Sequence, residues 1–312
     1  MRLTRTARPP HPRRSALSVP AINTRALSKA SGLDADVLIF DLEDSVAEEK
    51  KAEARDNLKR FFETSGSLLK RAERVIRVNA ADSSHFHRDL ELAIALKPDA
   101  VLLPKVENPR DILETADRLS EQDDLDAIRI WAMIETPKAV LNAGLIAEAA
   151  HTPGARLEAF VIGLNDLRKE TGVLPEPGRT HLIPWMMQIL LSGRAYGVDV
   201  LDSVSNDFSD LDAFSAECAQ GRAMGFDGKM LIHPAQIGPA NRVFGPSEQA
   251  LEDARQIVSA FADSSADGLG VISIQGRMVE RLHLEEAHHL LAYQDLIEKR
   301  KPHETLPLPD RA

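Results

Sequence analysis

Residues 100–135, AVLLPKVENPRDILETADRLSEQDDLDAIRIWAMIE, contain one full unit of the pattern that decides the fold. The β-rich apolar run Ala100–Leu103 leads into Pro109–Glu121, where apolar residues recur at helical spacing with polar residues between them. The apolar run Ile128–Ile134 then follows. A strand, a helix and a second strand are the reading this spacing supports.

Outward from this unit the same rhythm continues in both directions. Apolar runs stand at Ala16–Val19, Val37–Phe40, Val75–Val78, Ala159–Ile162, Val198–Leu201 and Lys229–Ile232, which makes eight with the two above. Helical spacing is present at Asn23–Ser31, Ala47–Thr64, Phe86–Leu96, Ala139–Ala150, Pro184–Tyr196 and Leu211–Met224. Alternation of this kind implies parallel strands with right-handed crossovers, and eight units favour closure into an α/β (β/α)8 TIM barrel over an open sheet. The first strand is not followed by G-x-G-x-x-G, and no G-x-x-x-x-G-K-[ST] is present, so nucleotide-binding folds of those types are disfavoured.

The expected organisation is a flexible basic segment over residues 1–14, a barrel over 15–260 and a C-terminal extension over 261–312. The first segment holds Arg2, Arg5, Arg8, Arg13 and Arg14 with no acid, and three prolines break any helix. It reads as a tail rather than a targeting peptide, since it has no apolar stretch. Beyond the eighth strand, helical patterns at Pro234–Val243 and Ser247–Ser259 lead to a linker-like Asp263–Gly270. A strand at Val271–Ile274, a turn at Gln275–Gly276 and a helix from Leu284 to Lys299 follow. This piece is too small for a core of its own and is expected to pack on the barrel or on a neighbouring subunit.

Composition narrows the functions. With 38 Lys+Arg against 48 Asp+Glu, the net charge is −10, which disfavours a general nucleic-acid partner. The chain has no apolar run near the length of a membrane span, and Cys218 is its single cysteine. No membrane partner, no disulfide, no thiolate metal site and a cytoplasmic location are therefore expected.

Chemistry in such a barrel sits where strands give way to loops at the C-terminal face. Polar residues fall there repeatedly: Asp41, Glu43 and Asp44, then Arg77 and Asn79, Lys105 and Glu107, Glu135, Asn165 and Asp166, Asp202, and His233. Each taken singly has a structural explanation, such as a helix cap or a pairing of Arg77 with Asp41. Together, several carboxylates converging on one mouth repel unless a cation is present. Oxygen ligands without Cys favour Mg2+, and the best pair is Glu135 and Asp166, at the ends of adjacent strands. Arg77 is placed to fork onto a substrate carboxylate, so the substrate is expected to be an anion.

The segments Arg14-Ser-Ala-Leu-Ser-Val-Pro20, Arg25-Ala-Leu-Ser-Lys29, Asp41-Leu-Glu-Asp-Ser-Val46, Ile76-Arg-Val-Asn79, Leu103-Pro-Lys-Val106, Ile134-Glu-Thr-Pro137, Gly163-Leu-Asn-Asp-Leu167 and Gly225-Phe-Asp-Gly-Lys-Met-Leu-Ile-His-Pro234 occur in this order. In this respect the chain resembles the citrate lyase beta-subunit family of the aldolase/citrate lyase superfamily, which includes malyl-CoA and citramalyl-CoA lyases. The resemblance implies Mg2+ on Glu135 and Asp166, and substrate contacts from Arg77, Gly163 and Asn165. It also implies water positioned by Glu43 and Asp44, and coenzyme A phosphates near Arg14, Arg25 and Lys29. Hydroxyacyl-CoA, or acetyl-CoA with an oxo-acid such as glyoxylate or pyruvate, are the implied substrates, and a homotrimer or homohexamer the implied assembly.

Three departures stand out. Family members carry an Asp, supplied by a neighbouring subunit, where this chain has Glu280 in Gln275-Gly-Arg-Met-Val-Glu280. The longer side chain shifts the carboxyl by more than ~1 Å, enough to matter in a proton transfer. Ala21 replaces a common glycine, and Asn206-Asp207 replaces a Gly-Pro-Tyr type of sequence. The expected activity is a carbon–carbon lyase. The rivals are a class II aldolase on free oxo-acids and aldehydes, a hydroxyacyl-CoA thioesterase, and a non-catalytic binding protein that kept the pocket.

Overall fold

A computed structural model describes residues 11–65, 68–121, 128–262, 270–274 and 276–300. Eight parallel strands close into a barrel in chain order: β1 (Ser15–Pro20), β2 (Val37–Asp41), β3 (Glu73–Arg77), β4 (Ala100–Leu103), β5 (Arg129–Ile134), β6 (Leu157–Ile162), β7 (Asp199–Asp202) and β8 (Gly228–Leu231). β8 returns to pair with β1, so no edge is left open.

The strands read as continuous apolar runs because both of their faces are buried. In β5, Trp131 and Met133 point into the barrel, joining Val37, Ile39, Val75, Leu102, Val161, Leu201 and Met230. The alternate residues Ile130, Ala132 and Ile134 face the helical layer. That layer comprises α1 (Thr24–Ala30), α2 (Lys51–Ser65), α3 (Phe86–Leu96), α4 (Pro109–Ser120), α5 (Pro137–Glu148), α6 (Leu164–Thr171), α7 (Ile183–Tyr196), α8 (Leu211–Met224) and α9 (Ile237–Phe244). Local chemistry sets their starts: α4 opens on an Asn108/Asp111 capping box with Pro109 in its first turn, and α5 on Thr136, whose hydroxyl accepts from the Ala139 N–H. Apolar spacing predicts no helix at α6, which buries only Leu164 and Leu167 among otherwise polar residues.

The floor of the barrel corrects the reading of the basic N-terminal segment. Residues 1–10 lie outside the described residues, but Arg13 and Arg14 are buried and fixed. The Arg13 guanidinium donates to Glu73 at 2.8 and 2.6 Å, to Glu158 at 2.9 Å and to Asp199 at 2.8 Å. It also lies 4.7 Å over the Trp131 ring. Burial alone disfavours the Arg13 charge, yet the surrounding carboxylates hold its pKa above the ordinary value. Arg14 is forked onto Asp36 at 2.8 and 2.9 Å. Gly228 leaves the space this segment needs, because a Cβ there meets the Arg13 backbone. Three acids around one cation at the N-terminal strand ends are what turned two tail arginines into a plug.

The chain divides into two compact units, one running from Arg13 to Phe244 and the other from Gly245 onward together with Pro12. The division falls earlier than position 260, so α10 (Glu248–Ala262) belongs to the second unit, where it packs on α11 (Arg281–Arg300). The antiparallel pair β9 (Val271–Ile274) and β10 (Arg277–Glu280) completes that unit. The linker positions 263–269 and the turn residue Gln275 lie outside the described residues. Among the described residues, no helix is long and apolar enough to cross a membrane.

Candidate active site

At the C-terminal ends of the strands the barrel opens into a cavity of about 350 Å3. Its lining includes Asp41, Asp44, Arg77, Glu135, Gly163, Asn165 and Asp166, together with Ser18, Ser203, Asn206 and the apolar Met133, Met230 and Ile232. Six residues proposed from sequence therefore share one chamber: Asp44, Arg77, Glu135, Gly163, Asn165 and Asp166. Glu43 sits beside them, buried, against Arg77 and Lys105.

Glu135 is the next residue after β5 and is only 1% exposed. Its Oε1 accepts the Lys105 backbone N–H at 2.8 Å, which is available because Lys105 adopts a left-handed backbone with φ 53°. Its Oε2 is buried without a hydrogen-bond partner. Burial above all, with the nearby charges of Asp166 and Glu43, pushes the Glu135 carboxyl up to about 8, against the opposing pull of Lys105 and Arg77. Gly163 directly follows the neighbouring β6, and a Cβ built there meets the Glu135 Cβ and falls 2.6 Å from that same Oε2. Asp166 follows in the first turn of α6. A buried orphan oxygen, a second acid and a notch kept open by glycine fit a hard divalent cation with oxygen ligands. Among the described residues there is no cluster of three or more His, Cys, Asp or Glu suited to a metal.

Arg77 ends β3 with its guanidinium already engaged. Nε and Nη2 fork onto Asp41 at 2.7 Å each, while Nη1 lies 3.2 Å from Glu43 and 3.6 Å from the Met133 sulfur. Burial works against both charges of the Arg77–Asp41 pair, and mutual attraction outweighs it: Arg77 is held above its ordinary pKa and Asp41 below. The expected two-pronged grip of Arg77 on a substrate is thus corrected. Asp41 takes the fork, and Nη1 is the nitrogen left on the side of Glu43 and Met133.

The loop after β2 is stiffened from beneath. Lys51, a buried ammonium at the start of α2, donates to the carbonyls of Leu42 and Glu43 at 3.0 and 2.7 Å, and Asn79 donates to Leu42 at 3.0 Å. Glu43 receives the Lys105 ammonium at 3.2 Å. Burial first, then the Asp44 charge, raises the Glu43 pKa despite Arg77. Across the mouth, the side-chain amides of Asn165 and Asn206 bond reciprocally at 3.1 and 2.9 Å, tying the first turn of α6 to the loop after β7.

Among the other expectations, those in the barrel unit separate from the chamber. Arg14, assigned to coenzyme A by resemblance, is spent on Asp36 at the opposite end of β1, about 20 Å away at strand rise. Arg25 and Lys29 are exposed on α1 and do not line the cavity. Glu280 ends β10 in the second unit, half-buried, with its N–H donating to His283 at 2.9 Å. Asp202 serves the fold, buried between Arg179 and Lys229 at 2.7 and 3.1 Å. His233 stacks on Phe208 at 4.7 Å.

The family profile described as HpcH/HpaI aldolase/citrate lyase matches residues 14–234, the barrel and its mouth. The chain belongs to this family. Relatives include a (3S)-malyl-CoA thioesterase of Cereibacter sphaeroides, 42% identical over 92% of this chain and 96% of the relative. The citrate lyase subunit beta of Escherichia coli is 32% identical over 91% of this chain and 94% of its own length. Among solved structures, protein CitE of Mycobacterium tuberculosis, in complex with magnesium, acetoacetate and coenzyme A, superposes with a TM-score of 0.70. That match has 28% identity and covers 90% of this chain and 97% of CitE. Its relatives include lyases, among them the citrate lyase beta subunit and a citramalyl-CoA lyase of Rattus norvegicus that is 29% identical over 93% of this chain.

Proposed function

We propose that this chain is a Mg2+-dependent lyase that breaks or forms the carbon–carbon bond of a short hydroxyacyl-CoA of the malyl or citramalyl type. The products of cleavage are acetyl-CoA and glyoxylate or pyruvate. The observation that carries this reading is the orphan Oε2 of Glu135, buried beside Asp166 and facing the notch at Gly163. Bound by Glu135 and Asp166, Mg2+ would offset their charge and polarise the oxygens of the acid.

The protein's own groups account for the rest. Nη1 of Arg77 faces the substrate carboxylate with one nitrogen, its orientation fixed by Asp41. Glu43, made more basic by burial and steadied by Lys105, is the acceptor for the hydroxyl proton, directly or through water ordered with Asp44. Loss of that proton lets the carbon–carbon bond break, with its electron pair passing to the carbon next to the thioester. Glu280 is the proposed donor of the proton which that carbon then takes up. Arg25 and Lys29, free in solvent on α1, suit the coenzyme A phosphates.

Thioester hydrolysis is the second reading, favoured by the 42% identical relative named as a malyl-CoA thioesterase. Both activities start from the same ester, so one incubation separates them. Malyl-CoA with Mg2+ is expected to yield glyoxylate and acetyl-CoA; malate and free coenzyme A instead identify the hydrolase. Thermal denaturation with acetyl-CoA and with pyruvate covers the rivals, since a ligand specific to the native state raises its melting temperature. Stabilisation by pyruvate alone points to an aldolase on free acids. Binding without turnover of either ester points to a non-catalytic protein.

A further inference from the structure

α6 carries Asn165 and Asp166 in its first turn, yet the residue that begins it has no side chain with which to cap it. The start of a helix leaves backbone N–H groups that a Ser, Thr, Asp or Asn at the N-cap ordinarily receives. α5, which opens just after Glu135, is served in this way by Thr136. At α6 the N-cap is Gly163, and a larger residue is barred there because its Cβ meets Glu135. The notch beside Oε2 of Glu135 and a cap supplied by the same residue exclude each other.

The missing acceptor comes from the next strand. Ser203 directly follows β7, and its hydroxyl oxygen accepts the Leu164 N–H at 3.1 Å. Ser203 is buried in the chamber wall, whereas the other tie between these segments, the Asn165–Asn206 amide pair, is exposed and open to replacement by water. Ser203 is fixed in turn, since its backbone N–H donates to Oδ1 of Asp202 at 2.7 Å. Asp202 receives Nη1 of Arg179 at 2.7 and 2.8 Å and the Lys229 ammonium at 3.1 Å. Burial disfavours the Asp202 charge, but the two cations outweigh it and lower its pKa. Arg179 reaches this place from the α6–α7 connection with a left-handed backbone, φ 56°, directly after Gly178 at φ 74°. A non-glycine residue in that conformation is strained and persists only where its surroundings hold it. Gln220 supplies the hold, accepting from Nε and Nη2 of Arg179 at 2.9 and 2.7 Å and donating to the Gly178 carbonyl at 2.6 Å. The buried ionic group thus ends on one small hydroxyl at the start of α6.

We propose that Ser203 is a positioning residue of the metal site: it caps α6 from the neighbouring strand and so fixes the turn that holds Asp166 beside Glu135. This role rests on the reading of Glu135 and Asp166 as the Mg2+ pair, and the two can be tested apart.

S203A removes the hydroxyl and leaves the backbone bond to Asp202 in place. In the full chain with EDTA, amide hydrogen exchange over residues 162–168, read by mass spectrometry, is expected to run about fivefold faster than in wild type, the ratio a lost N-cap typically gives. Titration calorimetry is expected to show Mg2+ bound about tenfold more weakly. The control is N23A, which takes from α1 its own cap, the Asn23 side chain that accepts the Ala26 N–H at 3.0 Å away from the chamber. It is expected to lower the melting temperature without weakening Mg2+. Unchanged exchange or unchanged Mg2+ affinity in S203A overturns the proposal, as does an equal loss of Mg2+ affinity in N23A, which would mark a general effect of weakened helices. A wild type that binds no Mg2+ overturns the reading of Glu135 and Asp166 itself, and the role of Ser203 with it.

Discussion

Glu135 and Gly163 behave as one feature although 28 residues of chain separate them. The acid places an unpartnered oxygen in the barrel mouth, and the adjacent glycine withholds the one carbon that would fill the space. Gly163→Ala is therefore expected to press on both the Cβ and the carboxylate of Glu135, lowering Mg2+ affinity at least about tenfold and lowering the melting temperature as well. Titration calorimetry reads the first and thermal denaturation the second. The protonation of Glu135 gives a further expectation. Its pKa lies at about 8 against an ordinary 4.5, so the metal-free fold prefers the protonated acid. The stability tied to that proton is complete below about 4.5 and is lost as the pH rises through about 8. In EDTA, Glu135→Gln should match wild type near pH 4 and exceed it by an amount on the order of 3 kcal/mol near pH 9. Urea denaturation at both values measures this. Equal stabilities at pH 9 would show that Glu135 is not held in a low-dielectric site.

At the scale of elements, strand ends are sorted into two opposite roles by which end of the barrel they reach. The C-terminal ends leave one buried carboxylate oxygen, Oε2 of Glu135, without a partner in the mouth, whereas at the N-terminal ends Glu73, Glu158 and Asp199 close around Arg13. The two sets are separated by layers of Val, Ile, Leu, Met and Trp131 in the barrel interior. Arg13→Met removes the cation and strands three carboxylates in the floor. A loss of about 3–5 kcal/mol is expected at neutral pH from urea midpoints. The Mg2+ affinity of the surviving folded protein should stay near the wild-type value. A drop in metal affinity as large as that of Gly163→Ala would contradict the separation of floor and mouth.

Over the whole molecule, α5 and α7 each bury one face on the barrel and leave Leu141, Leu145, Met187 and Leu191 exposed on the other. The barrel and the candidates at its mouth were legible in the chain because strand and helix periodicity are local, and because the residue after each apolar run has its direction set by that run. Glu135, Asp166, Gly163, Asn165 and Arg77 were found in this way or through motif resemblance. The fate of each charge was not legible. Arg77 is tied to Asp41 from 36 residues away, Glu135 meets the Lys105 N–H from 30, and Arg13 meets Asp199 from 186. Which arginine grips an anion, and which ones lock the floor, depends on neighbours brought together only when β8 closes on β1. Local spacing determined the staves of this barrel and the acids at their ends; closure alone decided which of those acids stays without a partner, because burial and pairing are properties of the assembled mouth.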